Sequence, residues 1–288
     1  ADLPRTEIRP DAKLNWLNLT DNDFELLLPL VSKSSGAKAI FSRAANAIKT
    51  NRDEWLYAFS KDALLQRVHY LIEKFNEQLL KGLKDARKLD YSIKWSSALK
   101  VRTQAVAVQD KLVIPAVWRP FVKMWFYSEK DLSDRLTSNH YEFYGANLVG
   151  HGPAINVGTV PTTKPFTVLA TTGATDYHAT GDTVSIPKLL ATGPNTSTDN
   201  ITDWALKQFR DHYKMLVTPA KAGVQRLSAT RSTKALDSGL RRNDEQKKLL
   251  AIGKEDIFHY AYAVLHDPVY REKYAQNLKR EFPRIPFY

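Results

Sequence analysis

From Ser60 onward the apolar residues Leu64, Val68, Leu71, Ile72, Phe75, Leu79 and Leu83 recur at steps of three and four, with charged residues between them. That spacing places them on one face of a helix and predicts an amphipathic element of about 28 residues, ending near Lys88. Ser60 supplies a hydroxyl for the free amides of the first turn, and Asp62 complements the positive end of the helix. A single apolar stripe means that one face packs on a neighbour and the other stays in water.

The pattern then shortens. Lys111–Trp118 and Phe121–Tyr127 are runs of β-branched and aromatic residues separated by Arg119-Pro120. Ala154–Val160, Phe166–Thr171 and Thr183–Ile186 are further short runs set between Gly, Pro, Thr and Asp turns, so this stretch reads as strands. Helical spacing returns at Thr202, with Trp204, Ala205, Phe209 and Tyr213 on the buried side, and again from about Lys254 to His266. Asp267-Pro268 stops that helix and opens the next, because Asp caps well and Pro is pre-shaped for a first helical position. Val269, Tyr270, Tyr274 and Leu278 give the last helix its stripe, and Pro283 and Pro286 end it.

These elements predict an α+β fold: a mixed, β-rich central unit flanked by a long N-terminal helix and a C-terminal helical cluster. The boundaries read as a connector at 1–50 with a short helix near Asp23–Leu28, a helical segment at 51–97, the β-rich unit at 98–200 and C-terminal helices at 201–288. Inside the last of these, 214–249 follows neither period. It resembles the translation product of a small palindromic repeat inserted into bacterial genes, in Thr218–Gln225 and Leu236–Glu245, and is expected to be an exposed excursion.

Composition changes this picture modestly. The 288 residues are 43% hydrophobic, enough for a sizeable core. The absence of cysteine excludes disulfides, thiolate zinc sites and thiol nucleophiles. No apolar run reaches the length of a membrane span and no signal-peptide layout is present, which points to the cytoplasm. The start at Ala1, without an initiator methionine, reads as a fragment or processed product. A net charge of +11 suggests a polyanionic partner, but nine basic and three acidic residues in 214–249 account for +6 of it. The remaining +5 is ordinary.

No catalytic constellation emerges. The Asp/Asn-Pro-Pro-Tyr/Phe tetrapeptide of amino-methyltransferases is missing, as is a Gly-rich cofactor turn. Asp11-x-Lys13 and Glu245-x-Lys247 are half-motifs of metal-dependent nucleases, each without a convincing upstream acid. His259 and His266 sit seven apart, whereas paired ligands on a helix usually sit four apart, so no metal site is expected.

The residues do resemble a family. Asn51–Tyr57 and the long helix after it look like the segment beyond the methyltransferase domain in Type ISP restriction–modification enzymes and related adenine-specific DNA methyltransferases. Trp118–Tyr127 resembles their Arg-Pro-Phe-x-x-x-Trp-x-Tyr signature, and Leu132–Tyr141 is similar to the stretch that lies just beyond that signature in the family. Asp256–Tyr260, His266–Tyr274 and Leu278–Pro286 resemble the closing helices and tail. The resemblance spans nearly the whole chain outside 214–249. It implies a specificity domain for double-stranded DNA without chemistry of its own, serving methyltransferase and helicase/nuclease domains in the same polypeptide or complex. S-adenosylmethionine is expected only in the methyltransferase domain, and no cofactor in this chain. The alternative is a protein-interaction scaffold that docks onto the methyltransferase with little DNA affinity alone.

For such a domain, base-reading candidates are Arg135, Asn139 and His140 in a polar turn, with Thr171, Thr172 and His178 in the Thr/Gly/Asp-rich stretch up to Asp182. Lys100, Arg102, Arg119, Lys123 and Lys164 are candidates for holding phosphates. Arg119, inside an aromatic cluster, has a structural reading beside the DNA one, stacked on a ring or paired with an acid. Trp125 and Tyr127 read as core, as do Tyr262, Tyr270 and Tyr274.

Overall fold

The computed structural model of the chain describes residues 22–32, 38–82, 97–216 and 252–288. The amphipathic stripe forms α2 (Lys61–Leu80), preceded by the short α1 (Asp53–Leu56). Ser60 accepts a hydrogen bond from the Ala63 amide, as its place at the boundary predicts. Leu64, Val68, Leu71, Ile72 and Phe75 are all buried. The predicted continuation towards Lys88 lies outside the described residues after Gly82, and α3 (Ser97–Val101) comes next.

The stripe packs on an antiparallel three-stranded sheet of β3 (Tyr57–Ala58), β5 (Val122–Tyr127) and β4 (Val113–Arg119), in the order β3-β5-β4. The sequence-read turn at Arg119-Pro120 joins β4 to β5. A second antiparallel sheet has the order β2-β8-β6-β7, built from β2 (Ala45–Asn46), β8 (Thr183–Pro187), β6 (Pro153–Gly158) and β7 (Val168–Thr172). Its central strands are buried on both faces. Ile155 pairs with Ile186 and Val157 with Val184, facing the C-terminal helices, while Asn156 pairs with Ser185 on the other face. The hairpin of β9 (Leu189–Gly193) and β10 (Thr196–Asp199) leans on α4 (Ser138–Tyr144).

α5 (Asp203–Leu216) starts where Thr202 accepts from the Ala205 amide. It runs to Leu216, so helix covers the first residues of the segment read as an excursion from 214; residues 217–251, with the rest of that segment, lie outside the described residues. α6 (Lys254–His266) ends at Asp267, whose side chain accepts from Val269 while Pro268 opens α7 (Pro268–Lys273). The last helix of the sequence reading is two, since Tyr274 leaves helical geometry before α8 (Ala275–Arg280). Nor does the tail end regular structure: β11 (Arg284–Ile285) pairs with β1 (Leu28–Pro29). The expected helix near Asp23–Leu28 is a single 3-10 turn at Phe24–Leu26.

The described part of 1–50 is core rather than connector. Phe24, Leu30, Ile40 and Phe41 are buried among the C-terminal helices and the second sheet, and Ile48 joins the α2 core. Its apolar residues lack a period because the chain crosses between two cores instead of running along one. Among the described residues no helix is long and apolar enough to cross a membrane.

Candidate nucleic-acid interface

Two segments far apart in sequence meet the β4–β5 hairpin at a buried polar clasp. Residues 173–178 run beside β4: Val117 N–H donates to Ala174 at 2.9 Å and Asp176 N–H to Val117 at 2.8 Å. This carries Asp176 into the interior, fully buried. Arg119 then bridges two carboxylates, with Nη1 at 2.7 Å from Asp176 and Nη2 at 2.9 Å from Asp53. Its guanidinium lies 4.1 Å above the Trp118 ring, and Trp118 Nε1–H donates to Asp53 at 2.9 Å. Tyr57 Oη–H and the His178 amide also donate to Asp176, and the His178 ring nitrogen lies 3.3 Å from it.

Burial pushes the Asp176 carboxyl up, more than the His178 amide and Arg119 pull it down. Asp53 is also pushed up by burial, but hydrogen bonds from Thr50, Trp118 and Arg119 outweigh this and hold it low. Ligand atoms of Asp53, Asp176 and His178 lie within 4.8 Å of one another, a spacing that suits a metal. The Arg119 guanidinium already serves both carboxylates as their cation, so the arrangement is that of a structural ion-pair network.

A cleft of about 1070 Å³ opens beside this clasp, lined by residues from 42–46 and 135–140, with Tyr177 and Thr159 also lining it. Both segments are held from beneath. His140 is buried in the first turn of α4, not in an exposed turn. Its Nδ1 accepts from the Thr137 amide at 2.9 Å, which leaves the proton on Nε2 to reach the Asn46 carbonyl at 3.0 Å. Asn200, also fully buried, fixes the opposite end of the 42–46 segment by hydrogen bonds to Ser42 and Arg43.

Burial pushes the His140 pKa down, against the pull of its backbone partners. The unfolded chain therefore takes up this proton first as pH falls. The contribution is fully present above about pH 6.5 and is lost as pH drops towards the folded value. His140→Gln is expected to remove that part of the slope. Urea midpoints measured between pH 7.5 and 5 for both proteins check it; parallel curves would refute it.

The family model described as the Type ISP C-terminal specificity domain matches residues 39–288. The chain belongs to that family. Solved structures agree. The cryoEM structure of a DrdV–DNA complex is 32% identical with a TM-score of 0.77, over 100% of this chain and 26% of that one. A nuclease-deletion mutant of the Type ISP restriction-modification enzyme LlaGI, in complex with a DNA substrate mimic, is 23% identical over 97% of this chain and 23% of that one, with a TM-score of 0.68. The ATP-dependent Type ISP enzyme LlaBIII bound to DNA is 22% identical over 97% and 16%, with a TM-score of 0.70. The last two establish likeness of fold. The specificity domain thus spans about a quarter or less of each of these chains. No match was found among curated proteins.

In this specificity domain the sequence-read candidates separate clearly. Arg135 is exposed and Asn139 half-buried, and both line the cleft. His140 lines it too, but its ring is spent on two backbone groups. Thr171 is buried and bonded to Asn156 and Thr175, so it is not available to a base. Thr172 is exposed on a shallow surface with Lys123, away from the residues of the cleft. His178 is half-exposed beside Asp176, and its neighbour Tyr177 is the one that reaches the cleft.

The phosphate candidates separate as well. Arg119 is bound up in the clasp. Arg102 pairs with Asp131, and Lys164 lies 3.4 Å from Asp182. Lys100 and Lys123 are exposed, with no ion pair among the described residues. Arg43 and Asn46 also line the cleft, and sequence reasoning misses them because 1–50 reads as a connector. The run Ser42-Arg43-Ala44-Ala45-Asn46, polar groups spaced by small residues, is the available signal.

Proposed function

We propose that this chain reads the sequence of duplex DNA through the cleft between residues 42–46 and 135–140. The observation that carries the reading is convergence: Arg43, Asn46, Arg135 and Asn139 come from two segments about 90 residues apart, onto one groove with rigid walls. Arg135 and Asn139 have the donor and acceptor geometry for base edges in the major groove. Lys100 and Lys123, without a carboxylate partner among the described residues, suit phosphates. The likeness to DrdV, solved with DNA, supports this reading.

Methylation of adenine, ATP-driven helicase action and cleavage would then belong to other parts of a longer cytoplasmic restriction–modification polypeptide, along with the S-adenosylmethionine site. The purified chain is expected to retard duplex DNA in a gel, with affinity falling steeply as salt rises. The two phosphate contacts of Lys100 and Lys123 would give a log–log slope of about −1.8. It should neither methylate nor cut that DNA when supplied with S-adenosylmethionine and Mg²⁺. Methyl transfer above background, or binding that ignores salt, would refute the proposal.

A second reading, docking onto the methyltransferase part, is favoured by one surface. Phe121 is 88% exposed and stands at φ 62° in the Pro120–Phe121 turn, where a glycine would be less strained. Beside it lies a shallow, largely apolar hollow lined by Val117, Pro153 and Leu169. The cleft and this hollow share no lining residue, but Lys123 lines the hollow, so docking there would compete with a phosphate contact at Lys123.

A further inference from the structure

Nothing in the sequence singles out Arg43, yet its backbone and its side chain are both held by named partners. The buried Asn200 amide holds the backbone on both sides of it. Oδ1 accepts from the Arg43 amide and from Ser42 Oγ–H, each at 2.8 Å. Nδ2 donates to the Arg43 carbonyl at 2.9 Å and to the Pro187 carbonyl at 2.7 Å. All four hydrogen-bonding positions of the amide are thus used. The Ser42 amide donates back to the Asn200 carbonyl at 2.9 Å. The guanidinium meets Glu142 of α4, with Nη2 2.6 Å from Oε2, while 49% of the arginine side chain stays exposed.

We infer that Arg43 is a specificity-determining residue that reads the O6/N7 edge of a guanine, with Glu142 orienting its guanidinium. The inference rests on the reading of the cleft as a DNA interface. Two physical points separate base reading from phosphate holding. A phosphate brought to Arg43 also meets the Glu142 carboxylate, a like charge at close range, whereas a guanine edge is neutral and offers only acceptors. Glu142 takes one donor of the guanidinium and leaves enough of its planar fork for two adjacent acceptors, of a guanine as of a phosphate, so the fork itself does not decide. A backbone fixed on both sides also suits a contact that depends on geometry, which phosphate attraction does not demand.

The test selects preferred duplexes for the 288-residue chain from a randomised library and repeats the selection with Arg43→Ala and Arg43→Lys. The side chain is exposed, so both variants should fold. Both should lose preference for guanine at one position by about 5- to 100-fold, with lysine failing to restore it. Arg43→Lys keeps the charge, so its salt slope should match the parent's, and any general weakening in Arg43→Ala should be smaller than its loss of guanine preference. Replacing that guanine by 7-deazaguanine, which lacks N7, should weaken the parent and leave Arg43→Ala unaffected. If Arg43→Ala instead binds every duplex more weakly with a flatter salt slope and keeps its preference, Arg43 holds a phosphate and the inference fails while the DNA reading stands. If the parent chain binds no duplex, both fall.

Discussion

Replacing Arg119 with leucine is expected to destabilise the chain by about 3–5 kcal/mol, the cost of breaking a buried pair from one side. Leucine keeps similar bulk, so the loss reports the guanidinium: its charge, its hydrogen bonds and its stacking on Trp118. Asp176 is fully buried, and Arg119 is the cation its carboxylate meets at 2.7 Å. Without it the carboxylate keeps the Tyr57 hydroxyl, the His178 amide and, at 3.3 Å, the His178 ring nitrogen, none of which is a fixed cation like the guanidinium. The carboxyl of Asp176 already stands above its ordinary value through burial, and losing the guanidinium raises it further. The folded variant then binds a proton that the unfolded chain gives up near pH 4. Its deficit should therefore grow as pH rises from about 4 towards neutrality, and shrink in acid. Adding Asp176→Asn to Arg119→Leu should recover part of the loss, because a neutral amide is cheaper to bury than an unpaired carboxylate. Guanidinium chloride unfolding across pH measures all of this. A loss below about 1 kcal/mol, or one independent of pH, would mean that Arg119 contacts a partner rather than holding the clasp.

Much of the fold was legible because its signals are local. Ser60, Thr202 and Asp267-Pro268 cap helices by bonding amides two or three residues away, and each does so in the structure. The strands around Arg119-Pro120 were legible from their β-branched and aromatic content. Membership of the family was legible in the Trp118–Tyr127 and C-terminal segments and agrees with the match over 39–288.

The cleft was only half legible, and the reasons are physical. Arg135 and Asn139 lie in a polar stretch and do line it, but the same polarity misled at His140. A side chain that caps a helix start looks, in sequence, like one in an exposed turn. The Thr171–Asp182 stretch misled likewise. Thr171, Thr175 and Asp176 in it are buried because their polar groups meet one another or neighbouring side chains, which composition does not reveal. Asn200 was invisible, since its partners Ser42 and Arg43 lie more than 150 residues away.

The buried polar layer around Thr171 can be tested directly. Asn156 is fully buried on β6; it accepts from Ser185 Oγ–H at 2.6 Å and donates to Thr171 Oγ1 at 2.8 Å. Thr171 in turn lies 2.8 Å from Thr175 Oγ1, so one side chain links β8, β7 and the segment that carries Asp176. Asn156→Leu keeps most of the volume but strands the Ser185 hydroxyl and leaves the Thr171 hydroxyl with Thr175 alone. At about 1–3 kcal/mol for a buried group left unmade, it should cost about 1–3 kcal/mol. Thr171→Val, which preserves shape, strands one Asn156 hydrogen and one side of Thr175, and should cost about 1–2 kcal/mol. The double variant should cost clearly less than the sum, because each single change leaves the other partner unsatisfied and the pair together removes both. The same proteins distinguish this role from base reading. A Thr171→Val chain that has lost stability should still select the same duplexes as its parent. If its stability is unchanged while its preference relaxes at one position, Thr171 would have to leave the Asn156 network on binding and read DNA after all.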